Sequence, residues 1–162
     1  MNIQTSEESS IARKQASRFC RQDDSRIEIS EGRGGQLLIG LFEDDLAIQE
    51  MLRLLLQSEG YNVAAYSSME ECLAHMHADD SQPCVARPDL LMIDLHLAKS
   101  LSGLAVIERI RANPSLEHFP VILMTASTVI DRQNLQRLSV TLLPKPFDID
   151  EIIRIVGELA TA

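Results

Sequence analysis

"QLLIGLFEDDLAIQEMLRLLLQSEG", residues 36–60, sets a short apolar run against an amphipathic one, with three acids at the joint. Residues 36–42 are almost uniformly apolar, which suits a strand covered on both faces. From Leu46 the period changes. Ile48, Leu52, Leu55 and Leu56 share one side of a helix, Asp45 is placed to cap its start, and Gly60 suits its end. The stretch therefore reads as one strand followed directly by one helix.

The same alternation continues outward. "YNVAAY" (61–66) alternates like a strand before a helical spacing over 68–80, opened by Ser68. "DLLMI" (89–93) precedes a helix over 102–114, and "FPVILM" (119–124) precedes a shorter polar helix near 129–138. "VTLL" (140–143) leads into the helical "DIDEIIRIVGELA" (148–160), and the loop 80–88 is the longest connection before a strand. Five βα units imply a parallel sheet with helices on both faces. Right-handed crossovers favour the doubly wound strand order 2-1-3-4-5.

Residues 1–35 differ in character: they are polar, lack sustained periodicity and finish in "EGRGG". They are expected to be a flexible, mostly disordered extension in which "SSIARKQASRFCRQ" (9–22) has the makings of a short helix. Residues 36–162 form the folded domain, since 162 residues suit one core rather than two.

Composition excludes several classes. With 45% hydrophobic and 24% charged residues the chain is globular, and no apolar run reaches the ~18 residues of a spanning helix. The start, "MNIQTSEESS", has no signal-peptide pattern, so a cytoplasmic location with no membrane partner is expected. The net charge of −9 falls entirely on residues 36–162, which hold 18 acids against 9 bases; direct nucleic-acid binding is disfavoured. Cys20, Cys72 and Cys84 lack metal or redox spacing, and His75 and His77 point to different sides of a helix.

In a parallel sheet the carboxyl ends of the strands share one edge, where ligands bind. Just past those ends stand Glu43 and Asp44, Asp94, Thr125, and Lys145, the last held between Pro144 and Pro146. Singly, each could be a cap, a turn residue or a solvated charge. Together they bring three carboxylates, a hydroxyl and an ammonium to one place. Crowded carboxylates repel unless compensated, and Mg²⁺, which prefers a few carboxylates plus waters and phosphate oxygens, would neutralise them together with Lys145. Such a site could accept a phosphoryl group on a carboxylate.

Over residues 37 to about 160 the chain resembles the receiver domain of two-component response regulators, a CheY-like family with the flavodoxin-like fold. The resemblance rests on "LLIGLFEDD", "PDLLMIDLHLAKSLSGLAVIERIR", "PVILMTAS" and "LLPKPF", in the family's order. It implies that Asp94 is the phosphoacceptor, taking its group from a sensor histidine kinase or a histidine phosphotransfer protein. It implies Mg²⁺ as cofactor, held by Glu43, Asp44, Asp94 and the backbone carbonyl of His96. Thr125 would turn its hydroxyl to a phosphoryl oxygen beside the small Ala126. Lys145 would pair with the phosphoryl group, and its bond to Pro146 is expected to be cis.

The protein is thus expected to be a signalling phosphoacceptor, not an enzyme beyond its own phosphorylation and dephosphorylation, that acts on an unknown downstream protein by conformational change. The alternative is a non-phosphorylated pseudo-receiver, an interaction module. A haloacid-dehalogenase-type phosphohydrolase would need a second aspartate where His96 stands. Three departures from the family accompany this: Ala98 replaces a usual proline in a loop one residue longer than usual, and His96 and Ser127 occupy positions that tune dephosphorylation. Leu142 replaces the usual aromatic switch. Leucine is expected to gain from burial in either state, so the signal should leave through the loop 126–131 and the fourth helix, driven by Thr125.

Overall fold

The computed structural model describes residues 36–78, 86–97, 101–127 and 129–161. The expectations for residues 1–35, for most of the loop 80–88, and for Ala98, Cys20 and Cys84 lie outside that set. The elements run β1 (Leu38–Phe42), α1 (Leu46–Ser58), β2 (Asn62–Ala65), α2 (Met69–Met76), β3 (Leu90–Asp94), α3 (Gly103–Arg111), β4 (Val121–Thr125), α4 (Arg132–Leu138), β5 (Thr141–Pro144) and α5 (Ile149–Thr161). A single 3₁₀ turn, Pro114–Leu116, stands between α3 and β4. The five strands form one parallel sheet in the order β2-β1-β3-β4-β5, the expected doubly wound arrangement.

Period-two alternation along the central strands divides the core into two layers. Ile39, Leu41, Leu90, Met92, Ile122 and Met124 face one way, where Leu52 and Leu56 of α1 and Ile152, Ile155 and Val156 of α5 cover them. Phe42, Leu91, Ile93, Val121 and Leu123 face the other, beneath Cys72 and Met76 of α2, Val106, Ile107 and Ile110 of α3, and Leu135 and Leu138 of α4. Both faces of the middle strands are dry, which is why β3 and β4 are buried at every position. Each fully buried Leu, Ile or Met there contributes about 1.5–3 kcal/mol of transfer free energy.

The helices start and stop where local chemistry dictates. The Asp45 carboxylate accepts from the backbone N–H groups of Ala47 and Ile48 and caps α1, and Gly60, at φ +88°, takes the left-handed turn that follows it. Ser68 caps α2 through the N–H of Glu71. Three expected helices are shorter than their spacing suggested, and the one expected over 102–114 runs only from Gly103 to Arg111. The helix begun at Ser68 ends at Met76, and the one near 129–138 begins at Arg132, because Asp131 caps it by accepting from Gln133 and Asn134.

Arg111, at the end of α3, ties several segments at the far edge of the sheet. Its guanidinium donates to the carbonyls of Leu116 (2.6 Å), Phe119 (2.8 Å), Leu138 (2.9 Å) and Ser139 (3.2 Å), joining the 3₁₀ turn, the approach to β4 and the end of α4. One expectation fails in the fifth strand. Leu142 is 38% exposed rather than buried, because β5 is the sheet's edge and only Leu143, on its other side, packs into the core. Among the described residues no helix is long and apolar enough to cross a membrane.

Candidate functional site

Parallel pairing brings the expected residues to one edge. Asp94 is the last residue of β3 and sits opposite Met124, while Thr125 ends β4 opposite Pro144, so Lys145 emerges beside Thr125 and donates its N–H to the Thr125 carbonyl at 2.7 Å. β1 lies on the other side of β3, with Phe42 opposite Ile93, so Glu43 and Asp44 follow directly beside Asp94. Carboxylate oxygens of Glu43, Asp44 and Asp94 all lie within 4.8 Å of one another. Glu43, Asp94 and Thr125 are buried, whereas Asp44 is exposed at the mouth.

Lys145 spans the cluster. Its ammonium donates to Glu43 Oε2 at 2.8 Å and lies 3.3 Å from Asp94 Oδ1, above the ring of Phe147 at 5.7 Å. The Lys145–Pro146 peptide bond is cis, as expected. Burial disfavours the ammonium, but the hydrogen bond to Glu43 and the charges of Glu43 and Asp94 outweigh it and hold Lys145 above the usual lysine range. For Glu43 the balance falls the other way. Burial raises its carboxyl above the ordinary range, with the charge of Asp94 adding to it, despite the hydrogen bonds from Lys145 and the Asp45 N–H.

Among the described residues three carboxylates face one ammonium, an excess of negative charge in a largely buried crevice. Their donors are all hard oxygens, which suits Mg²⁺ and would not suit a soft thiolate-seeking metal. His96 is exposed, two residues beyond Asp94, and forms an antiparallel bridge with Ser102. The bonds of that bridge come from the flanking residues, Leu97 N–H to Leu101 O at 3.0 Å and Gly103 N–H to Leu95 O at 2.9 Å, so the ladder does not use the His96 carbonyl. The donor set therefore fits a hard divalent cation.

Thr125 Oγ1 accepts from the Ser127 N–H at 2.9 Å, and Ser127 Oγ in turn meets the Val129 carbonyl at 3.0 Å and its N–H at 3.3 Å. These short-range bonds link the end of β4 to Val129, two residues before Asp131, the cap of α4. Ala126 between them is exposed.

Two supporting residues escaped the sequence reading. Gln49, one turn into α1, donates from Nε2 to the Glu43 carbonyl at 3.0 Å and steadies the acidic turn. Gly103 opens α3 so close to β3 that a Cβ there would overlap the carbonyl oxygen of Asp94. A glycine after the capping Ser102 was the only signal, and it does not announce a contact nine positions back in the chain.

The family described as response regulator receiver domain matches residues 39–157. Among curated proteins, the chain is 29% identical over 121 residues to the DNA-binding transcriptional regulator NtrC of Salmonella typhimurium, covering 74% of this chain and 24% of that one. It is 30% identical over 123 residues to the DNA-binding dual master transcriptional regulator RpaA of Synechocystis, covering 74% and 47%. The chain thus spans between a quarter and a half of these relatives' lengths. A putative response regulator from Chloroflexus aurantiacus superposes with a TM-score of 0.64 at 27% identity, covering 78% of this chain and 99% of that one. The receiver domain of the sensor histidine kinase PA1611 from Pseudomonas aeruginosa, solved with a magnesium ion coordinated in its active site cleft, gives 0.65 at 25% identity, covering 79% and 100%.

Proposed function

Because the chain belongs to the response regulator receiver domain family, we propose that it accepts a phosphoryl group on Asp94 from a phosphohistidine of a sensor histidine kinase or histidine phosphotransfer protein. A carboxylate oxygen of Asp94 attacks phosphorus, the bond from phosphorus to the histidine nitrogen breaks, and the imidazole leaves as the Asp94 acyl phosphate forms. The observation that carries this reading is Lys145 bridging Glu43 and Asp94 at 2.8 and 3.3 Å. That ammonium stands where the charge of an incoming phosphoryl oxygen must be met.

Glu43, Asp44, Asp94 and the His96 carbonyl would hold Mg²⁺, which supplies neutralisation of the transferring group's charge when bound. The Thr125 hydroxyl accepts from Ser127 and keeps its own proton free to donate to a phosphoryl oxygen. Turning it inward breaks the Ser127 bond, and the displacement passes through Val129 to the start of α4. The signal leaves by that route to a downstream protein. A cytoplasmic location follows from this reading, since the phosphodonor must reach the crevice. The pseudo-receiver alternative would lack one or more of Glu43, Asp44, Asp94, Thr125 and Lys145, and all five are present here.

The test is intact mass after incubation with acetyl phosphate and Mg²⁺. One added phosphoryl group is expected on the protein, none without Mg²⁺, and none on Asp94→Asn. Unchanged labelling of Asp94→Asn would overturn the assignment.

A further inference from the structure

Four of the six large apolar side chains exposed among the described residues lie on one layer: Leu46, Met51 and Leu54 on α1, and Ile149 at the start of α5. Leu46 is 77% exposed and Ile149 55%, well beyond what packing of a helix on its own sheet explains. The same layer is strongly acidic. Residues 44–59 and 148–161 contain eight acids and two bases, and both arginines, Arg53 and Arg154, are engaged by Glu50 and Glu158 of their own helices. Exposed apolar side chains set among acids that outnumber the bases of the same helices suit an occupant that is apolar on one side and basic on the other.

The chain itself contains such a segment. Residues 9–22, "SSIARKQASRFCRQ", carry Arg13, Lys14, Arg18 and Arg21 with no acid, and Ile11, Ala12, Ala16 and Phe19 fall on one side at helical spacing. We propose that residues 9–22 dock in cis on the outer face of α1 and α5, Ile11 and Phe19 against Leu46, Met51, Leu54 and Ile149, and the basic residues against the surrounding carboxylates. The tether is sufficient. Residues 23–35 reach up to about 45 Å when extended, against about 20 Å for the length of α1. Linkage of this kind gives an effective concentration in the millimolar range, so individually weak surface pairs suffice. A segment lying there borders the crevice of Asp94, because Leu46 follows Asp44 and Asp45 directly and Ile149 lies four residues beyond Lys145.

The docking rests on charge and exposed area, not on the phosphoacceptor reading. It is tested on the full chain with a nitroxide on Ser17→Cys in a Cys20→Ser, Cys84→Ser background. Cys72 is left in place. Its thiol, fully buried and pushed up to about 12 by burial and by the nearby Glu71 carboxylate, does not take the label. Amides of α1 and the first turn of α5 should lose most of their intensity, while those of α2 and α3 keep it. Dilution should leave the loss unchanged, and charge reversal of Arg13, Lys14, Arg18 and Arg21 should abolish it. So should salt at about 1 M, where the screening length falls to about 3 Å. Absence of a localised loss, or a loss centred on α2 to α4, overturns the proposal. Loss seen equally when spin-labelled chain is mixed with an isotope-labelled, spin-free chain also overturns it, assigning the face to a second copy.

Discussion

Replacing Gly103 by alanine adds one methyl group at the point where α3 leaves the loop after Asp94. That methyl would overlap the Asp94 carbonyl oxygen and come within 3.3 Å of the Ile93 side chain. The obstacle is backbone in a fully buried strand and cannot swing aside, so the cost belongs at the upper part of the ~1–3 kcal/mol found for overpacked cores. Against this, alanine restricts the unfolded chain and returns about 0.4–1 kcal/mol. The net expectation is a loss of about 1–2 kcal/mol, seen as a lower urea midpoint with an unchanged slope. Gly157→Ala is the control. It is the same chemical change inside α5, where a Cβ meets nothing within 4 Å, and it should stabilise by about 0.5–1 kcal/mol. Equal midpoints for Gly103→Ala and the parent protein would refute the close approach of α3 to β3.

Three further outcomes are expected. Tyr66 is buried and its hydroxyl has no partner among the described residues, so Tyr66→Phe should raise the urea midpoint by relieving about 1–3 kcal/mol of desolvation; a lower midpoint would reveal a partner for the hydroxyl. Leu142→Ala should cost under ~1 kcal/mol while Leu143→Ala costs about 2–5 kcal/mol, because the first is 38% exposed and the second fully buried, and comparable losses would contradict the orientation of β5. Lys145→Met leaves two buried carboxylates without their cation and should cost roughly 1–3 kcal/mol in EDTA, with a larger recovery on adding Mg²⁺ than the parent shows. Thermal unfolding of the two proteins with and without Mg²⁺ measures it, and indifference to the substitution would count against the ion pairs.

Most of the architecture was legible because two kinds of signal agreed. Near-continuous apolar runs such as "LLMI" alternate with helical spacing, and caps such as Asp45, Ser68 and Gly60 punctuate the helices. The site was legible for a topological reason. In a parallel sheet every carboxyl end shares one edge, so Glu43, Asp44, Asp94, Thr125 and Lys145 could be gathered before any distance was known. What escaped depends on relations through space. Whether Leu142 is covered is decided by the helices beside an edge strand, and the residue's own hydrophobicity carries no trace of that. The Gly103 contact, and the bond from Gln49 to the Glu43 carbonyl, arise only when a helix is laid against the strands. Asp131 as a helix cap was readable in principle, but polar residues on either side of it hid the boundary.

Phosphorylation of a single carboxylate, that of Asp94, is tested most directly by chemical trapping. The protein is incubated with acetyl phosphate and Mg²⁺, treated with borohydride, which reduces an acyl phosphate to the alcohol, and digested for peptide mass analysis. Homoserine in place of Asp94, with Glu43 and Asp44 unmodified, is the expected result. Reduction at Glu43 or Asp44, or no reduction anywhere in a protein that had gained a phosphoryl group, would contradict it.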